Sequence, residues 1–331
     1  MDAINMDAIK QKPVFLSGAT GFIGQALYPV LKDAGFEVRC GTRSVDRARK
    51  DDPQRQWVEF DVERPKTLGP ALEGCGSAFY LVHQMGSGPD YREREGWAAL
   101  SFREAARRAG LQRIVYLGGV APRGAASEHL KSRLETGEIL RGGDISTIEL
   151  RASMIIGANS ASWNLVRDLA ARLPLMLLPK WTQTKSQPVY IDDVRVALIA
   201  ALILEEEDSK WFDIPGPEVL SVEEIMTRTA GQMGHRPRSF NVPFLSPRLS
   251  SYWLRLVTDG DLYLARQLVE GLKTDLVAVD DHFWERIDYT KERTGFDEAV
   301  RRALDESEPE SMVARGYEWI AGKLADGASE G

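Results

Sequence analysis

The stretch "FLSGATGFIG", Phe15 to Gly24, carries an apolar run into Gly18, Gly21 and Gly24 and then back into apolar residues. Before it, "PVFLSG" reads as a short strand. After it, "FIGQALYPVLKDAG" places Ile23, Ala26, Leu27, Val30 and Leu31 at helical spacing. A glycine turn between a strand and a helix suits a pyrophosphate. One glycine lets the chain reverse, the next lets backbone N–H groups touch the phosphates, and the third lets helix and strand pack closely. The helix N-terminus adds partial positive charge. Gly35 is expected to end this helix, and Pro29 to kink it.

The alternation continues outward from there. "EVRCGTR", "QWVEFDV", "SAFYLVH", "QRIVYLGG" and "STIELRAS" read as further strands, with amphipathic helices at "GWAALSFREAARRAG" and "EHLKSRLETGEILRGG". Apolar strands alternating with helices predict an α/β chain with a Rossmann, doubly wound parallel sheet. Past "SQPVYIDDVRVALIAALIL", a strand or loop leading into a buried helix, the character changes. Ser221 and Glu224 form a capping box at a helix start, and Pro243 and Pro247 mark turns. A soft boundary is expected near residue 185. Residues 13–185 then form an NAD(P)-binding domain, and residues 186–325 a smaller C-terminal α/β part for substrate or partner, packed on the first.

Composition narrows the function. Lys plus Arg is 42 against 49 Asp plus Glu, a net charge of −7, which argues against nucleic-acid binding. Cys40 and Cys75 form neither a disulfide framework nor a zinc pattern, so a reducing cytoplasm is the expectation. The start "MDAINMDAIKQK" lacks the apolar core of a signal peptide, and residues 1–12 are expected to be a disordered tail. The apolar runs "VALIAALIL" and "LPLMLLP" fall well short of the ~20 residues of a membrane helix.

Cofactor choice is read at the end of the second strand. An acidic residue there favours NAD, and arginine favours the additional phosphate of NADP. Arg43 takes the position, with Ser44 beside it and Arg47 a turn further on, so NADP(H) is expected ahead of NAD(H). Asp61 and Val62 close the third strand, either against the adenine or, for Asp61, as a turn cap.

These residues resemble the atypical, extended-like short-chain dehydrogenase/reductases, which include NmrA-like NAD(P)-binding proteins and the accessory NAD(P)-binding subunit of respiratory complex I. The resemblance is carried by "GATGFIG", "TRS", "FDV", "RIVYLGG", "PVYIDDV" and "FDIPGPEVLSVEEI", roughly Pro13 to Leu304. It implies cofactor contacts from Gly18, Thr20, Gly21, Phe22, Ile23 and Gly24. It also implies that Arg43, Asp61, Val62, Leu81, Val82 and His83 line the rest of the groove.

The same resemblance implies a catalytic serine after the fifth strand and a Tyr-x-x-x-Lys pair on the next helix, and the chain departs from both. Gly118 and Gly119 stand at the serine position, and "HLKSR" puts His129 for the tyrosine and Arg133 for the lysine. Residues four apart share a helix face, so the pair can still meet the cofactor. Arg133 can hold ribose hydroxyls, and His129 can serve as an acid near neutral pH. Tyr91, in the loop "HQMGSGPDYRERE" with His83 and Ser87, is another candidate donor. Ser153, Asn159 and Trp163 are expected along a substrate cleft. Asp192 and Asp193 are expected to cap a helix, and Trp181, Trp211, Trp253 and Trp284 to pack in cores. No metal cluster or nucleophile triad stands out.

Two functions follow from these expectations. One is an NADP(H)-dependent reductase of a small hydrophobic carbonyl, quinone or enone. The other is a catalytically silent NADP(H)-binding sensor or assembly protein with a protein partner. A sugar-nucleotide epimerase is disfavoured by the missing tyrosine and lysine.

Overall fold

Val14, Phe15 and Leu16 are fully buried and form β1 (Val14–Leu16), an inner strand of a parallel sheet. The structure is a computed structural model that describes residues 11–83, 90–172, 175–234, 238–242, 270–289 and 291–306. Ser87, Pro243, Pro247 and Trp253 lie outside the described residues, as do residues 1–10 of the expected tail. From β1 the chain enters α1 (Phe22–Asp33), which runs on through Pro29 and ends ahead of Gly35. There follow β2 (Val38–Thr42), α2 (Val45–Asp51), β3 (Gln56–Glu59), α3 (Leu68–Leu72) and β4 (Ser77–Tyr80). Next come α4 (Tyr91–Ala109), β5 (Arg113–Gly119), α5 (Glu128–Arg141) and β6 (Ser146–Ala152).

The chain divides into two compact units that interleave along the sequence. The first holds residues up to 153 together with 191–215 and 274–293. After β6 it regains the chain at α6 (Ile191–Ile203), β7 (Lys210–Asp213) and α7 (His282–Arg286). Its strands lie in the order β7-β6-β5-β4-β1-β2-β3, and every neighbouring pair is parallel. This is the expected Rossmann arrangement, with one strand more than the sequence reading gave. "KWFD" is a short edge segment before a proline, without the apolar run that marks the inner strands. Phe15, Phe60, Tyr80, Phe102 and Tyr116 form the aromatic part of a core whose rest comes from α3, α4 and the strand faces.

The second unit covers 154–190, 216–273 and from 294 onward. Helices Ala161–Arg172 and Phe296–Asp305 both pack on helix Val222–Gln232. Ser221 starts that last helix with the expected capping box, its hydroxyl accepting from the Glu224 N–H at 3.1 Å. Trp163 is fully buried in the first of these helices. It is therefore a core residue and not a cleft lining: its flat apolar ring is on the inward face of a helix absent from the sequence reading. Asn159 is exposed.

Candidate cofactor pocket and its polar wall

The turn after β1 has no room for side chains at two of its glycines. Gly18 has φ +63°, and a Cβ there would lie 2.7 Å from the Leu81 carbonyl oxygen. A Cβ at Gly24 would lie 2.3 Å from the Gly18 carbonyl oxygen. The turn is thus pressed against its own helix and against the end of β4. Ser17 fastens it there: its buried hydroxyl donates to Phe79 O and accepts from Leu81 N–H, both at 2.8 Å.

Above the turn opens a cavity of about 180 Å³. It is lined by the glycine loop with Phe22 and Ile23, by Leu81, Val82 and His83 after β4, and by Tyr116, Leu117 and Arg133. Backbone N–H groups at a helix start, tight glycines and an apolar wall together fit a dinucleotide, with the diphosphate at the loop. Most of the groove residues expected from the sequence meet here. Tyr116 and Leu117 went unread because their strand gave only an apolar run, which does not tell a pocket wall from a core face.

The other expected residues lie around this centre. Thr20 is exposed, its carbonyl accepting from Gln25. Arg43 is exposed with no hydrogen bond or ion pair among the described residues. Ser44 precedes α2, yet its hydroxyl makes no cap bond. Arg47 pairs with Asp51 at 3.7 Å. Asp61 is the turn cap of the two readings, accepting from Glu63 N–H at 3.1 Å and from Arg64 at 2.9 Å. Val62 belongs to the aromatic core.

Ser127 caps α5 and sets its first turn, so that His129 and Arg133 fall on one face. Arg133 donates to the Leu117 carbonyl, and its guanidinium carbon lies 5.5 Å from the Tyr116 ring centre. Tyr116 donates its hydroxyl to the Arg133 carbonyl at 3.0 Å. His129 stands behind His83, Nδ1 to Nε2 at 3.2 Å, and does not line the cavity. His83 Nδ1 is hydrogen-bonded to Glu95, whose other oxygen accepts from Ser132. Burial lowers the His83 pKa and Glu95 partly offsets this. Burial, helped by the nearby His83 and Arg133, holds His129 down at about 3.

Tyr91 is not a loop residue. It opens α4 and is buried, away from the cavity lining, because the helix begins earlier than its polar first turn suggests. Gly118 faces the Glu149 side chain, 3.0 Å from where its Cβ would be, so the space of the expected serine belongs to a carboxylate. Asp192 and Asp193 lie inside the first turn of α6 and not ahead of it: Asp192 pairs with Arg195, and Asp193 accepts from the Tyr289 hydroxyl at 3.2 Å. Trp284 is buried, whereas Trp211 is 37% exposed and lies under Arg151, so it is not a core tryptophan: edge strand β7 turns it outward. Glu95 and Ser132 were missed altogether, since their charge and polarity read as solvated helix faces.

Residues 18–167 match the model of a family described as NAD(P)H-binding. An uncharacterized chloroplastic protein of Arabidopsis thaliana is 32% identical over 129 residues, 36% of this chain and 45% of that one, so the chain spans under half of that relative. Ceramide reductase of Caulobacter vibrioides is 26% identical over 286 residues, 79% of this chain and 84% of that one. Sanguinarine reductase of Eschscholzia californica is 24% identical over 258 residues, 63% and 90% of the respective chains. The crystal structure of a Citrobacter triphenylmethane reductase complexed with NADP(H) shares the fold, with TM-score 0.70 at 17% identity over 88% of this chain and 100% of that one. The resemblance to the extended-like short-chain reductases and the cofactor class are thereby borne out. No helix among the described residues is long and apolar enough to cross a membrane.

Proposed function

We propose that the protein is an NADP(H)-dependent reductase of a small hydrophobic carbonyl, quinone or enone. The observation that carries the reading is the cavity itself. It joins a glycine cradle to an apolar wall of Phe22, Ile23, Leu81, Val82 and Leu117, with three polar side chains, His83, Tyr116 and Arg133, among its lining. A bound reduced nicotinamide supplies hydride to the substrate. The protein's own residues hold the diphosphate at the loop, exclude water with the apolar wall, and keep Arg133 fixed through Leu117 to bind hydroxyl groups. Exposed Arg43 and Ser44 support NADP(H) over NAD(H). Relatives named as reductases of ceramide and of sanguinarine support a hydrophobic substrate. The two cysteines, both unpaired and buried, support a reducing, cytoplasmic setting.

The test is NADPH oxidation by purified protein across a panel of quinones, enones and hydrophobic aldehydes, alongside calorimetric titration of NADPH. Oxidation with at least one class is expected. Tight NADPH binding with no oxidation across the panel overturns the reductase reading and favours the silent sensor or assembly protein.

A further inference from the structure

Behind the cavity wall at His83 runs a line of polar side chains that cofactor binding alone does not require. Glu95 is 6% exposed, on α4 among buried Tyr91, Ala98 and Ala99. A carboxylate in such a place is expensive unless its oxygens are matched by donors. Here one oxygen meets Ser132 Oγ and the other His83 Nδ1. An ionised carboxylate only accepts, so His83 carries its hydrogen on Nδ1 and leaves Nε2 as an acceptor. The 3.2 Å contact with His129 is then made by His129 Nδ1–H, the two rings lying 4.9 Å apart between centres. Polarity is thus set along the whole line, from the buried carboxylate to the second imidazole.

The other polar groups of the pocket are poorly suited to moving protons. Arg133 is held by its hydrogen bond to Leu117 O. The Tyr116 hydroxyl is engaged with the Arg133 carbonyl, and burial pushes its pKa up. Tyr91 does not line the cavity, and His129 reaches it only through His83.

We propose that Glu95, His83 and His129 form a proton relay in which His83 delivers the substrate's proton, Glu95 fixes the His83 tautomer, and His129 refills it. The inference rests on the reductase reading. His129 takes a proton from solvent on Nε2 and passes its Nδ1 proton to His83 Nε2, giving an imidazolium beside the Glu95 carboxylate. The carbonyl carbon receives the hydride, the C=O π pair moves onto oxygen, and that oxygen takes the proton from His83 Nε2. The carbonyl becomes an alcohol, the cofactor is oxidised by two electrons, and one solvent proton is consumed. His129 recovers its tautomer by exchange with water. The charged groups facing the pair are Glu95 from α4 and Arg133 from α5; Arg133 opposes the cationic state and Glu95 favours it.

Two measurements test this. Nitrogen NMR of histidine-labelled, cofactor-free protein near neutral pH is expected to show His83 and His129 both protonated on Nδ1. His83 protonated on Nε2, as free histidine prefers, overturns the relay. With a substrate that oxidises NADPH, His83→Gln and Glu95→Gln are expected to lower kcat roughly 100-fold, while for Glu95→Gln, outside the cavity lining, the NADPH Kd stays within about threefold. His83→Gln is also expected to flatten the fall of kcat with rising pH, a change that mere loss of packing does not produce. A His83→Gln variant with unchanged kcat or an unchanged pH profile overturns the relay. Should no substrate be reduced by the unaltered protein, the reductase reading fails, and the tautomers alone decide whether the hydrogen-bonded line exists as drawn.

Discussion

A Cβ at position 24 would approach the Gly18 carbonyl oxygen to 2.3 Å and the Ala19 Cα to 2.7 Å, and no rotamer change can move either backbone atom. Gly24→Ala must therefore push helix and loop apart. It is expected to lower stability by about 1–3 kcal/mol and to abolish calorimetrically detectable NADPH binding. Arg43, exposed and unengaged among the described residues, calls for the opposite pattern. Arg43→Ala is expected to leave the melting temperature unchanged and to weaken NADPH roughly tenfold or more, the size of one charge-assisted bond, with NADH unaffected. Equal loss for both dinucleotides would remove the argument for NADP. At His129 the consequence is for pH. The folded chain holds this imidazole neutral down to about 3, whereas the unfolded chain takes up its proton near the ordinary histidine value of 6.5. Between these limits the unfolded state binds more protons, so stability falls as pH falls, by at most about 1.4 kcal/mol per unit, and is insensitive to this group above the upper limit. Thermal melts in mildly acidic buffer are expected to show His129→Gln losing less stability than the unaltered protein, relative to neutral pH.

At the scale of elements, α5 shows how a helix is shaped by one strand residue. Glu149 on β6 is fully buried and pairs with Arg141 of α5 and with Arg151, each at 2.8 Å. A Cβ at Gly137 would lie 2.3 Å from its Oε2, so α5 can pass only because that position is glycine. Removing one member of a buried ion set leaves the others uncompensated, and Glu149→Ala is expected to cost about 3–5 kcal/mol in denaturant unfolding with little change in NADPH affinity. The same elements show what a sequence can reveal. The turn after β1, its strand and its helix are legible because glycine spacing and apolar period are local signals. The start of α4 is not. Its first turn is polar, and Tyr91 and Glu95 point inward only because His83, twelve positions back, and Ser132, thirty-seven positions on, wait for Glu95. Partners that far apart leave no mark in the spacing of residues, which is why the cofactor side of the site was readable while Glu95 and Ser132 were not, and why Tyr91 was read as a loop residue.

At the scale of the molecule, the nucleotide-binding unit is completed by chain that comes late. α6 buries Val194, Ala197, Leu198, Ala201 and Leu202, and packs on α1, β5 and β6. Arg113 at the start of β5 donates to Ala201 O, Leu204 O and Glu206 O. β7 covers the edge of β6, and Trp284 donates its indole N–H to Pro215 O at 3.2 Å beside fully buried Phe283. Burying a large apolar side chain contributes about 1.5–3 kcal/mol, so Val194, Leu198, Leu202 and Phe283 together approach the net stability of a whole domain, about 5–15 kcal/mol. A chain ending at Tyr190 keeps the glycine loop and six of the seven strands but loses all of these contacts. It is expected to show no cooperative thermal transition and no NADPH binding, while the full chain shows both by circular dichroism and calorimetry. If the shortened chain melts cooperatively and binds NADPH, then α6, β7 and α7 are additions to a domain already complete without them, and the interleaving of the two units carries no weight in holding the site.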